Sequence, residues 1–150
     1  MERILVAVDE DEQAPRVIEL AGEVAQACGA TLTICHVMPR ERYHRIEEQQ
    51  EREQVAVPFS MTQGEERAAE LAAEYARPLV ETGVTFTTAG RVGEPAPTIV
   101  ALAREIDADL IIMGFEALRG LERIRALGSV SRAVMETTRR PVMVVPAVRE

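Results

Sequence analysis

The chain has 150 residues, of which 47% are hydrophobic and 3% aromatic, so its core must be built from aliphatic side chains. Its formal net charge of −8 argues against the basic surfaces that bind nucleic acids or anionic membranes. We therefore expect neither partner. The N-terminus shows no signal peptide, and the apolar runs are too short to span a bilayer, so the expected compartment is the cytoplasm.

Strands and helices alternate along the predicted chain. Short apolar or β-branched runs predict strands, and apolar residues at helical spacing predict the helices between them. Asp11 is a candidate cap for the first helix, and Gly29 is a candidate stop. In chain order the predicted elements are strand 4–8, a helix ending at 28, strand 31–37, helix 65–81, strand 84–89, helix 95–106, strand 110–113, helix 129–137 and strand 141–145.

Residues 38–63 interrupt this alternation. They contain Pro39, Pro58 and a charged run, and the stretch 42–54 could form a short exposed helix, although it has little apolar face. The pattern favours a flexible, solvated excursion within a single domain that covers residues 1–150.

Crossover helices between successive strands require the strands to be parallel, so the predicted fold is α/β, an open, doubly wound five-stranded sheet with helices on both faces. The alternating pattern of 84–89 suits an edge strand. The two cysteines, Cys28 and Cys35, have neither metal nor redox spacing, and both are expected to be small buried hydrophobes.

Ligands of such sheets bind at the carboxyl ends of the strands, where the strand order reverses. Asp9 and Gly114 end two strands and face one crevice if those strands are neighbours. Gly128 and Ser129 open a helix whose N–H groups can hold an anion, although ordinary capping explains them equally well. No lysine follows the last glycine, so this is not a Walker P-loop. No metal site, nucleophile elbow or other catalytic residue is predicted.

Several segments resemble the universal stress protein family, and together they cover nearly every element. RILVAVDE is similar to the first strand of that family, and TLTICHV is similar to its second strand. The segments VGEPAPTIVALAREIDADLIIMG and GSVSRAVMETTRRPVMVVP are similar to the stretches around its third to fifth strands. The resemblance implies a Rossmann-like sheet of the adenine nucleotide α-hydrolase type, in the order 3-2-1-4-5.

The resemblance also implies a nucleotide site. Members that bind ATP have a G-x2-G-x9-G-S/T motif, and Gly114, Gly128 and Ser129 match its ends. The middle departs from it: Ala117 replaces the second glycine, and ten residues rather than nine separate it from Gly128. Secondary candidates in the same segment are Gly120, displaced by three positions, and Arg119, which adds positive charge. The contacts on the adenine side fall on Ala7, Asp9 and Val37.

Three functions are compatible with this pattern. The first is a stress-response module that binds ATP or AMP as a sensor or regulator, with Mg²⁺ accompanying the phosphates. The second is a nucleotide-free interaction protein with a protein partner that the sequence does not identify, favoured by the altered motif. The third, a slow ATPase, ranks last because no general base is positioned beyond Asp9. In the first two, the resemblance implies a homodimer through the edge strand 141–146.

Overall fold

The computed structural model describes residues 1–9, 14–57, 59–115 and 129–146. Strands and helices alternate over these residues, and the strands form one parallel sheet. In chain order the elements are β1 (Arg3–Ala7), α1 (Ala14–Cys28), β2 (Thr31–Met38), α2 (Arg40–Arg52), α3 (Met61–Ala76), a 3₁₀ turn (Arg77–Leu79), β3 (Phe86–Val92), α4 (Pro95–Glu105), β4 (Leu110–Phe115), α5 (Ser129–Thr137) and β5 (Val142–Pro146).

The order across the sheet is β3-β2-β1-β4-β5. This confirms the predicted α/β class and strand order, and it confirms that the third and last strands lie at the two edges. Among the described helices, none combines the length and the apolarity needed to cross a membrane.

Two apolar layers cover the sheet. One layer joins alternate residues of the central strands, such as Ile4 and Val6, to α1 and α3. The other joins the intervening residues, such as Leu5 and Ile111, to α4 and α5. Each central strand is therefore buried on both faces, which is why the strands are continuous apolar runs rather than alternating ones.

Local signals explain where several elements begin and end. Gly29 adopts a positive φ of 67° and ends α1, as predicted. The helix α3 begins earlier than predicted, because Ser60 and Gln63 form a capping box in which each side chain binds the other residue's backbone N–H. Near Pro78 this helix gives way to a 3₁₀ turn, since proline has no N–H with which to continue the helical hydrogen bonds.

The segment after β2 differs from the predicted excursion, because it contains the helix α2. Of the two interpretations, a short exposed helix fits these residues better than a loop, and Tyr43 supplies the reason. Its side chain is 7% exposed and packs with Met38, Phe59 and Ala68 in a small cluster of its own. Its hydroxyl donates a 3.3 Å hydrogen bond to the carbonyl oxygen of Phe59. The mobility of residues 38–63, and the single domain over 1–150, stay predictions.

One cysteine also departs from expectation. Cys35 is buried in β2, as predicted, whereas Cys28 is exposed. The buried stripe of α1 ends one turn earlier, at Ala25, so the last turn of the helix projects past the core. Asp11, the expected cap of α1, lies outside the described residues.

Candidate functional site

The chain direction across the sheet reverses between β1 and β4. The helix α1 leads from β1 to β2 on one side, whereas α4 leads from the edge strand β3 to β4 on the other side. The register places the end of β1 between its two neighbours, because Ala7 pairs with Cys35 of β2 and with Met113 of β4, and these strands continue to Met38 and Phe115. The structure therefore has a topological switch point, the position at which open α/β sheets bind ligands.

Four of the predicted site residues lie at this edge. Ala7 is the last residue of β1 and is partly exposed, and Asp9 is exposed two residues further on. Gly114 follows Met113, the register partner of Ala7. The strand β4 continues one residue past Gly114, to Phe115. Val37 lies two residues beyond Cys35 and is 7% exposed, with its side chain in the apolar layer under α4.

The remaining candidates belong to the segment that leads into α5. Ser129 is the first residue of α5. Gly128, Ala117, Gly120 and Arg119 lie outside the described residues, so their predicted roles stay predictions.

The N-terminus of α5 has the electrostatic character that an anion needs. Its first turn contains no acidic residue. The first turn of a helix carries partial positive charge, so it favours an anion. The candidate site residues therefore include an apolar strand end, the exposed Asp9 and a helix start without acidic residues.

A metal ion receives no comparable support. Over the described residues, no cluster of three or more His, Cys, Asp or Glu side chains could hold one.

His36 is a site neighbour whose contact the sequence pattern did not predict. It is 2% exposed, and its Nδ1 atom lies 2.8 Å from the carbonyl oxygen of Val8. The backbone N–H of Val8 donates a 2.9 Å hydrogen bond to the carbonyl of Cys35. The N–H and the C=O of Val8, the residue before Asp9, are thus both bound to β2.

Arg91 was also missed by the sequence interpretation. It pairs in register with Val37 and places a positive charge at the carboxyl end of β3. Its guanidinium donates a 2.9 Å hydrogen bond to the carbonyl of Gly90 and lies 3.6 Å from the carboxylate of Glu105. Burial raises the pKa of the neighbouring Cys35 thiol to about 12, against a smaller lowering by Arg91. The sequence signal that could have identified this residue is an arginine two positions before Gly93, in the turn from β3 to α4.

A shallow cavity of about 230 Å³ lies elsewhere, between α2 and α3. Its lining side chains are mostly polar and contribute no group to the switch point: Gln50, Phe59, Gln63, Glu66, Arg67 and Glu70. Arg67 stacks over the Phe59 ring at 5.0 Å from its centroid, which ties the start of α3 to the segment before it.

The family follows from the comparison of the whole chain with known proteins. The sequence profile of the universal stress protein family matches residues 1–146. The universal stress protein Sll1388 of Synechocystis is 28% identical over 149 residues, which cover 95% of this chain and 96% of that protein. The chain belongs to the universal stress protein family, as its segments suggested.

Solved structures show the same fold. The hypothetical protein MJ0577 superposes with a TM-score of 0.73 at 23% identity, over 99% of this chain and 98% of the other. The universal stress protein of Archaeoglobus fulgidus, solved in complex with dAMP, superposes with a TM-score of 0.60 at 25% identity, over 97% and 98% of the two chains. The first likeness concerns the fold, and the second adds an adenine nucleotide in a relative.

Proposed function

We propose that this protein is a nucleotide-responsive member of its family, which binds ATP or AMP at the switch point and acts as a sensor or regulator in a stress response. In this proposal Ala7 and Val37 contact adenine, Asp9 contacts adenine or ribose, and Gly114 allows close approach of the ribose and phosphates. Gly128 and Ser129 hold phosphate oxygens at the start of α5, with Gly120, Ala117 and Arg119 as secondary candidates. Mg²⁺ would accompany the phosphates.

One observation carries this proposal. The pairing of Ala7 with both Cys35 and Met113 sets the end of β1 between β2 and β4 at the switch point, with Asp9 exposed two residues further on. The Archaeoglobus relative, which was solved with dAMP, supports an adenine nucleotide as the ligand.

The test is the melting temperature with ATP, AMP or no ligand, each with and without Mg²⁺. A ligand at a hundred times its dissociation constant stabilises the folded state by about 2.7 kcal/mol. We expect a rise of roughly 5 °C or more for a chain of this size. The rise should be lost in Asp9→Ala and in Gly128→Val, and kept in Glu19→Ala, which removes an exposed carboxylate from α1. No shift at millimolar ATP would refute the proposal.

A second candidate, the nucleotide-free interaction protein, is favoured by Ala117 and by the ten-residue spacing to Gly128. An alanine at a position that needs positive φ is strained, and an added residue redirects the N–H groups of a loop. No stabilisation by any nucleotide, together with capture of a protein partner, would favour it. Weak ATP hydrolysis stays the least supported alternative, and cytoplasmic localisation stays a prediction.

We also propose a homodimer through residues 141–146. Among the described strands β5 is paired only with β4, and Val142, Met143 and Val144 are partly exposed. An apolar edge strand of this kind can pair with a second copy. Sedimentation equilibrium across the micromolar range should give twice the chain mass of 16.5 kDa, and a monomer at every concentration would contradict the dimer.

A further inference from the structure

The hydrogen bond between His36 and Val8 defines the state of the imidazole ring. A backbone carbonyl can only accept, so the Nδ1 atom that lies 2.8 Å from it must carry the proton. In the neutral ring the other nitrogen, Nε2, is then an acceptor, and it has no hydrogen-bond partner among the described residues. A buried acceptor without a partner costs free energy that an apolar side chain would avoid.

The pairing of β1 shows what the bond from Nδ1 does. The ladder between β1 and β2 ends at the pair Ala7–Cys35. The carbonyl of Val8, the next residue along the chain, therefore accepts from the side chain of His36. In a parallel strand, alternate residues bond to opposite neighbours. Glu2 and Val8 bond toward the β2 side, whereas Arg3 bonds toward the β4 side, since its carbonyl accepts from the N–H of Asp109.

The planar peptide between Val8 and Asp9 extends this alternation by one residue. In a trans peptide the C=O and the N–H point in opposite directions. Because His36 holds the Val8 carbonyl toward β2, the N–H of Asp9 is directed toward β4 and the switch point.

We propose that His36 is a positioning residue for the ligand site: its Nδ1–H fixes the Val8–Asp9 peptide, so that the backbone N–H and the carboxylate of Asp9 are presented to the bound nucleotide. This inference rests on the proposed function, and it explains why a histidine occupies an interior position at the cost of an unpaired Nε2.

Two variants separate the hydrogen bond from simple core packing. His36→Asn keeps a nitrogen donor at the place of Nδ1, whereas His36→Leu fills the site without a donor. Ile34→Val, two residues earlier in the same apolar layer as Val8, is the control for a loss of packing that leaves the Val8 carbonyl untouched.

The first measurements need no ligand. Nitrogen-15 spectra of the His36 ring should show the Nδ1-protonated tautomer, and the residual dipolar coupling of the Asp9 N–H reports the orientation of its peptide. We expect this coupling to change in His36→Leu and to stay at the wild-type value in His36→Asn and Ile34→Val. An Nε2-protonated ring, or an unchanged coupling in His36→Leu, would overturn the proposal.

The binding measurement uses dAMP as the probe. We expect the dissociation constant to rise about tenfold in His36→Leu, because a donor misplaced by about 1 Å loses much of its effect, and to stay near the wild-type value in His36→Asn. A His36→Leu protein that is folded and binds as tightly as the wild type would overturn the positioning role. If the wild type itself binds neither dAMP nor ATP, the proposed function fails, and the dipolar coupling alone decides the role of His36.

Discussion

Gly90 of β3 lies directly against the backbone of α3, so that a methyl group placed on it would fall 2.9 Å from the carbonyl carbon of Ala68 and still closer to Glu65 and Ala69. Backbone atoms in the middle of a helix cannot yield as a side chain can. We therefore expect Gly90→Ala to lower the free energy of unfolding by about 3 kcal/mol or more, at the upper end of overpacking effects. Urea unfolding at neutral pH measures it.

Gly22→Ala is the matched control for that substitution. Its added methyl group would meet the end of a flexible side chain, Cδ2 of Leu79, at 2.8 Å. Alanine also gains about 1 kcal/mol over glycine inside a helix, so the net change should be small. Equal losses in the two variants would contradict this account of the packing between α3 and β3.

Tyr43 anchors α2, and its removal should release that helix. Its ring contacts Phe59 with centroids 5.2 Å apart, in a cluster separate from the two main layers. We expect Tyr43→Ala to speed hydrogen exchange throughout Arg40–Arg52 while the sheet stays protected. Tyr43→Phe keeps the ring but removes the hydroxyl and its bond to the Phe59 carbonyl, a bond worth about 1 kcal/mol, and should leave α2 protected. Fast exchange of α2 in the wild type would instead support the predicted mobility of residues 38–63.

Asp109 gives the stability a dependence on acid pH. The N–H groups of Arg3 and Glu2 donate to its Oδ2 atom at 2.9 and 2.7 Å, and they lower its pKa below the ordinary value of 3.8. The folded state therefore favours the carboxylate. This stabilisation is complete when the pH is above the pKa of Asp109 in the unfolded state. It is lost as the pH falls from that pKa through the lower pKa of the folded state.

The variant Asp109→Asn measures this contribution. We expect a lower melting temperature than that of the wild type at pH 7, and a difference that shrinks as the pH falls below 3.8. A difference that is the same at pH 7 and at pH 2.5 would show that the carboxylate charge plays no part.

The two cysteines should react with thiol reagents at very different rates. Cys28 is exposed, whereas Cys35 is buried with a pKa of about 12, so almost no Cys35 thiolate exists at pH 8. We expect one thiol to react rapidly in the native protein and both to react in denaturant. Cys28→Ser should abolish the rapid phase, and two rapid thiols in the native state would contradict the buried position of Cys35.

The strands could be predicted from the sequence because the central ones are buried on both faces, which produces runs such as Ile4-Leu5-Val6. The sequence could not decide between a helix and a loop for α2, because the burial of this helix depends mainly on one side chain, Tyr43, and on a partner 16 residues away, Phe59. Cys28 shows a related difficulty: helical spacing indicates a face, but not how far along the helix the core extends.

At the candidate site, the positions of Asp9 and Gly114 followed from the rule that ligands bind at strand ends, once β1 and β4 were taken as neighbours. The bond from His36 to Val8 could not be predicted, because it depends on the register of two strands and on the rotamer of one ring. The position of Arg91 could not be predicted either, since its place beside Val37 depends on the register between β3 and β2.

We propose above that an adenine nucleotide binds at the carboxyl ends of β2, β1 and β4. Amide ¹H–¹⁵N spectra recorded during a titration with ATP, and separately with dAMP, test it most directly. We predict saturable shifts that are largest for Ala7, Asp9, Val37, Gly114 and Ser129, and small for Gln50 and Glu70 beside the cavity between α2 and α3. An unchanged spectrum at millimolar nucleotide, or shifts confined to that cavity, would contradict the claim.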